Sequence, residues 1–403
     1  MSSFNKQFGA IFILIGTEVG AGVLALPLVV ANFGFLYGCA LLVIAWLIMM
    51  YTTFLICKLN LSLVSGSSFS SLAERYLGGF GTVIVWCSFL LILYPILIAY
   101  ISAAGSILGE VFSINTNFAG VLFVTLLGAF VLCGTSKVDW LNRLLLSIKL
   151  GLLVYVCITL SKKVHVEYLL FRYSSVQLGG LVLGMPILMA SFVGHIIVPT
   201  LRVYLDSDKK AIRNVLLIGG SIPLVLYFFW IYAIIGTIPP VGANSLEYLI
   251  SLGKHANVSD ILHLLKLNLH NNKFVEPISI FSSVSVSTSF LSVSLSLKDF
   301  VIDGLKLNRF NKIVKYTAVI SIVFISPVIV NWLYANIFLY ALNVVGIACV
   351  ILLVIIPPIM MNGYYKQNDV LKKKIVIVVF NICIAAIGIG LILGQVLSYF
   401  KFI

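Results

Sequence analysis

Glu18 stands in the apolar run from Phe8 to Ala31, inside the string Gly16-Thr17-Glu18-Val19-Gly20-Ala21-Gly22 and just ahead of Leu26-Pro27. Such a run is long enough to cross a bilayer, where a carboxylate and loosened backbone are costly unless they face protein, a cation or water. The chemistry on offer is ligand binding by freed main-chain groups. The N–H groups of Gly20, Ala21 and Gly22 suit a carboxylate, and the carbonyls of Gly16 and Thr17 suit an ammonium. The plainer use of the same residues is helix packing, since Gly16 and Gly20 have the Gly-xxx-Gly spacing. Glu18 itself is either a proton carrier or a fixed ion-pair partner.

Two further ionisable residues lie in apolar runs. Lys149, in Leu146-Ser147-Ile148-Lys149-Leu150, either takes part in coupling to an ion or snorkels to the nearby surface. His195 follows Ser191-Phe192-Val193-Gly194, and can donate, accept or titrate, or simply join two helices. Ser191, Phe192 and Gly194 are expected to line a pocket, with the phenylalanine stacking on an aromatic ligand. Ser285, Ser289, Ser292 and Ser296 fall on one helical face with Thr288 alongside, a source of hydroxyl contacts or a small-residue packing stripe.

The bulk of the chain sets the frame for these groups. Of 403 residues 61% are hydrophobic and 10% charged, too little polar surface for a soluble globule. An all-α polytopic membrane protein is expected. The net charge of +13 comes from basic residues scattered between apolar spans, so no nucleic-acid face is expected. The seven cysteines have no metal spacing, and neither a metal nor another cofactor is expected. HExxH and GxSxG patterns are missing, as are a filter motif and a charged ring, which weighs against an enzyme and a channel. No removable signal peptide is expected at the N-terminus.

The apolar runs divide into about eleven spans, near 8–31, 34–57, 81–109, 118–135, 141–161, 177–200, 213–237, 276–298, 313–331, 335–360 and 374–398. Ser67 to Gly79 reads as a short interfacial helix, and Pro239 to Lys273 as a partly helical external loop. With the N-terminus inside, only seven Lys and Arg residues fall outside: Lys162, Lys163, Arg172, Lys254, Lys266, Lys273 and Lys401. The other 19 of the 26 fall inside, so the N-terminus is expected in the cytoplasm and the C-terminus in the periplasm. Gly22 and Pro27 recur as Gly194 and Pro199, an offset of 172 that places a second broken span five spans later and reversed. This is the pattern of an inverted repeat: 1–162, then 163–362, with 363–403 as an additional span.

The motif Gly16 to Gly22 with Leu26-Pro27, then Glu74-Arg75-Tyr76-Leu77-Gly78, then Gly134 to Arg143, then Ser191 to His195 with Val198-Pro199, resembles the bacterial tyrosine/tryptophan permeases. Gly219 to Trp230 and Ser287-Thr288-Ser289-Phe290-Leu291 extend the resemblance over most of the chain. It implies the leucine-transporter-like fold of five plus five spans, with spans one and six broken. It also implies a proton symporter of the bacterial inner membrane that imports an aromatic amino acid, tyrosine or tryptophan. The serine/threonine branch of the wider family is the alternative. The resemblance further implies substrate contact at Tyr100, with Tyr94 as a second candidate, and a coupling role for Lys149; a pairing of Lys149 with Glu18 in one state is expected as a separate reading of the two ionisable groups. Glu18 departs from the family, which usually has an uncharged residue there.

Overall fold

The computed structural model describes residues 3–65, 67–171, 178–269, 272–334, 336–370 and 372–399. Among them every regular element is helical, as a lipid environment demands of backbone that must satisfy its own polar groups. Nine helices are long and apolar enough to cross a bilayer, and a pair bent by 48° makes a tenth. The shorter apolar helix Thr116–Leu132 brings the spans to the expected eleven. In chain order, span one is 3–31, two Phe35–Leu61, three Phe69–Phe112, four Thr116–Leu132, five Thr135–Ser161 and six 178–204. Span seven is Lys209–Ile235, eight Asn272–Gly304, nine Lys312–Leu333, ten Phe338–Gln367 and eleven Ile375–Tyr399. Arg172 and Lys401 of the charge count lie outside the described residues.

Both expected breaks are present, and they match in detail. The first half of span one ends at Glu18 and that of span six at Ala190; the second halves start at Leu26 and Val198. Each pair is 172 residues apart, the offset between Gly22 and Gly194. A short 3-10 turn precedes each second half, Ala21–Ala25 in one case and Gly194–Ile197 in the other. Pro27 and Pro199 then occupy the first helical turn, where a missing N–H costs nothing.

Elsewhere, prolines and glycines shape the spans. The interfacial helix expected at 67–79 runs into span three as one helical element, bent where Gly78 adopts φ 70°. Spans nine and ten each widen into a π-helical turn, Ile320–Ile325 and Val350–Ile355, just before Pro327 and Pro357, whose missing N–H interrupts the ladder.

The external stretch expected to be partly helical holds the helices Leu246–Leu252 and Val258–Leu269. Asn257, buried at the start of the second, docks it on span three. Its Nδ2 donates to Ser102 (3.2 Å), and its Oδ1 accepts from Ser106 (3.1 Å) and from the Val258 N–H (2.8 Å). Asp260 accepts from the Asn257 N–H at 2.7 Å, closing the first turn like a capping box. Partial burial there holds the Asp260 carboxyl above its ordinary range, against the lowering effect of that hydrogen bond. At the opposite end of span six the buried Arg202 guanidinium caps the C-terminus of span two, donating to the carbonyls of Asn60, Leu63 and Val64.

Candidate functional site

The two breaks are drawn together by a residue that sequence reasoning did not single out. Tyr227, in the middle of span seven, points its hydroxyl at the Glu18 carbonyl (2.8 Å) and the Ser191 carbonyl (3.0 Å), the backbone of both broken spans. One phenolic hydrogen is shared between two acceptors, so the hydroxyl ties the breaks to each other. Among 18 tyrosines in apolar surroundings, nothing in the pattern of span seven marks this one.

At the first break the ladder stops because Gly20 sends its N–H back to the Glu18 carbonyl (2.7 Å) rather than to Gly16. Gly20 and Gly22 border the neighbouring elements closely. A Cβ on Gly20 would lie 3.4 Å from Ser289 Oγ, and one on Gly22 3.8 Å from Ser191 Oγ. Ala21 contributes backbone to the same turn. Gly16 and Thr17 are still helical. Gly16 faces Leu146 of span five so closely that a Cβ would come within 2.7 Å of its Cδ2, which is the packing use of the glycine. Thr17 is exposed and donates its hydroxyl to Ile13.

The Lys149 side chain is buried, and its Nζ lies 2.5 Å from the Val19 carbonyl and 3.4 Å from Thr288 Oγ1. Its ammonium therefore joins span five, the first break and span eight. The expected Glu18 pairing is not made in this state: among the described residues no cation lies within ion-pair distance of Glu18, and its Oε2 is shut from solvent without a hydrogen-bond partner. The carbonyl that receives the lysine belongs to Val19, two residues beyond Thr17, the nearer of the two carbonyls the glycine pattern pointed to.

At the second break, Ser191 and Phe192 are buried, and the Phe192 ring packs on Tyr227 with centroids 5.3 Å apart. Tyr100, buried on span three, shares a side-chain hydrogen bond with Ser289 of span eight. Tyr100, Ser191, Phe192, Thr288, Ser289 and the two breaks thus form one centre. Ser285 lies on the same face one turn away, buried and with no partner for its hydroxyl. Along that face Ser285 and Ser289 are buried, whereas Ser292 and Ser296 are exposed. Tyr94 lies apart from the centre and donates to Ser326 of span nine at 2.8 Å, a helix-joining contact.

His195 is fully buried between threonines of span two. Thr52 Oγ1 lies 2.7 Å from Nε2 and Thr53 Oγ1 3.2 Å from Nδ1. Each threonine also has a main-chain carbonyl to donate to, Met49 for Thr53 (2.8 Å) and Ile48 for Thr52 (3.1 Å), so a neutral ring donates to one threonine and accepts from the other. Both ring nitrogens are thereby occupied in fastening the second break to span two.

An all-helical bundle of eleven spans whose first and sixth are broken side by side defines a transporter of the leucine-transporter-like class. Superposition agrees: Mhp1, a nucleobase-cation-symport-1 family transporter in a closed conformation, matches with a TM-score of 0.57 over 89% of this chain and 78% of that one. At 12% identity this is a likeness of fold alone. The chain belongs to the tryptophan/tyrosine permease family, whose profile matches residues 3–396. Among curated relatives, Glutamine transporter 2 of Aliivibrio fischeri is 32% identical, the match covering 86% of each chain. Tyrosine-specific transport system 2 of Haemophilus influenzae is 30% identical over 86% of this chain and 84% of that protein. The low affinity tryptophan permease of Escherichia coli is 28% identical over 86% and 84%. The protein is a multi-pass membrane transporter.

Proposed function

We propose that this chain imports tyrosine, tryptophan or both across the bacterial inner membrane as a proton symporter, by alternating access. The observation that carries the reading is the convergence of both helix breaks on one aromatic, hydroxyl-bearing centre at Tyr227, Phe192, Tyr100 and Ser289. Main-chain groups at Gly20, Ala21, Gly22 and Gly194 would hold the carboxylate and ammonium of the amino acid, and Phe192 with Tyr100 would hold its ring. The family membership and the tyrosine- and tryptophan-named relatives support that substrate class.

Lys149 is placed for the coupling role. Its ammonium holds the broken span to spans five and eight while charged, and loss of that charge would free the Val19 carbonyl and let the halves of span one move. The repeats, 1–162 and 163–362, would rock about the two breaks, with 363–403 outside the repeated unit. The charge bias supports a cytoplasmic N-terminus, and then the exposed Ser292 and Ser296 belong to a path open to the cytoplasm.

The Aliivibrio relative favours a second reading, glutamine as substrate. Ligand-dependent thermal stabilisation of the purified protein across the amino acids tests both, since a ligand at 100 times its Kd adds about 2.7 kcal/mol to the folded state. Stabilisation by tyrosine or tryptophan and not by glutamine, serine or threonine is expected. Stabilisation by glutamine alone would replace the aromatic reading.

A further inference from the structure

The Glu18 side chain leaves the first break on a different side from the Lys149 contact, with Phe192 and Gly194 of the substrate centre at its border. Lys149 reaches the first break from spans five and eight, whereas the Glu18 carboxyl runs toward spans two, six and seven. A glycine makes room for it: a Cβ on Gly194 would lie 2.5 Å from Oε1.

Glu18 borders a cavity of about 10 Å³ together with Trp46, Met49, Thr53, Phe192 and Leu216. That is room for roughly one water, and Glu18 with Thr53 supplies polar partners for it. Trp46 cannot serve the carboxyl, since its N–H is committed to the Gly220 carbonyl at 2.8 Å.

The chemistry of this slot is that of a proton, and a fixed ion pair does not fit it. No Lys, Arg or His lies within ion-pair distance of Glu18 among the described residues. The titratable groups around it are Tyr227, which bonds its main-chain carbonyl from span seven, His195 on span six, one threonine hydroxyl away from the cavity, and Lys149, which bonds the carbonyl of the next residue. An ionised carboxylate left unpaired in such a place is costly, and a neutral acid that donates to one water far less so.

We propose that the Glu18 carboxyl is the group that carries the coupled proton, in a one-water slot separate from the Lys149 contact. The assignment rests on the symport reading. In the loading step a hydronium ion on the outer side gives a proton to the carboxylate, its O–H bond breaking as the carboxyl O–H bond forms. In the release step the carboxyl O–H bond breaks and the proton bonds to a water on the cytoplasmic side, giving hydronium and the carboxylate. Lys149 and the substrate contacts then respond to the charge left on span one.

The test uses wild type and Glu18→Gln in proteoliposomes, with labelled tyrosine as probe and two readouts: exchange against internal tyrosine at equal pH, and accumulation driven by an acid exterior. The ratio of accumulation to exchange is expected to fall at least tenfold in Glu18→Gln. An unchanged ratio in a variant that exchanges overturns the assignment and leaves the symport reading standing. If wild type exchanges tyrosine and an acid exterior drives no accumulation, the symport reading itself fails and the assignment with it. Should Glu18→Gln exchange nothing, infrared difference spectra of the purified proteins decide. A carboxylic-acid C=O band that titrates in wild type and vanishes in the variant supports Glu18 as the carrier, and its persistence in the variant overturns it.

Discussion

Tyr227 and Lys149 hold the same short stretch of backbone from opposite sides, one at the Glu18 carbonyl and the other at the Val19 carbonyl. Tyr227→Phe keeps the ring against Phe192 and deletes the hydroxyl alone, taking this donor from the Ser191 carbonyl and leaving the Glu18 carbonyl with the Gly20 N–H only. A loss of about 1–3 kcal/mol in thermal unfolding is expected, with weaker tyrosine binding. If neither changes, the hydroxyl is not the tie between the breaks. Lys149→Ala removes the ammonium on which the coupling role rests; proton-driven tyrosine accumulation in proteoliposomes is expected to fall at least tenfold. Accumulation at the wild-type level would leave Lys149 as a packing residue. Glu18, Lys149 and His195 were legible as unusual because each is an ionisable group in an apolar run. Their partners were not, since Val19, Thr52 and Thr53 meet them only through tertiary contact across more than a hundred residues. The glycine string offered Gly16 both for ligand binding and for helix packing, and its close contact with Leu146 is a packing contact.

At the level of elements, sequence read furthest where a chemical exception interrupts a regular run. Gly, Glu and Pro inside apolar stretches marked both breaks, and the offset of 172 returns as matching helix ends at Glu18 and Ala190. The junction of the interfacial helix with span three was less legible, because Gly78 bends the chain without stopping the helix. The external helix Val258–Leu269 was foreseen only as part of a partly helical loop, without bounds. What fixes it is Asn257, whose bonds to Ser102 and Ser106 are set by the fold. Asn257→Ala leaves those hydroxyls without their buried partner, and a cost of about 1–3 kcal/mol is expected. Hydrogen exchange should quicken across 258–269 well before the spans are affected, and unchanged protection there would contradict this account of how the loop is docked.

For the molecule as a whole, the apolar spans, two breaks and one aromatic centre are those of a transporter, and the bias of its basic residues supports the proposed orientation. Glutamine and aromatic substrates among relatives of similar identity show that family membership alone leaves open which amino acid this chain takes. The choice belongs to the few side chains around the breaks, and Phe192, Tyr100 and Tyr227 give that centre its aromatic character. The most direct test is uptake of labelled tyrosine into proteoliposomes holding the purified chain, with an acid exterior and with tryptophan, phenylalanine, glutamine, serine and threonine as competitors. Saturable, concentrative uptake that collapses with the pH gradient and is competed by aromatic amino acids is the expected result. Flux that does not saturate, or uptake competed by glutamine or serine and not by tryptophan, would contradict it.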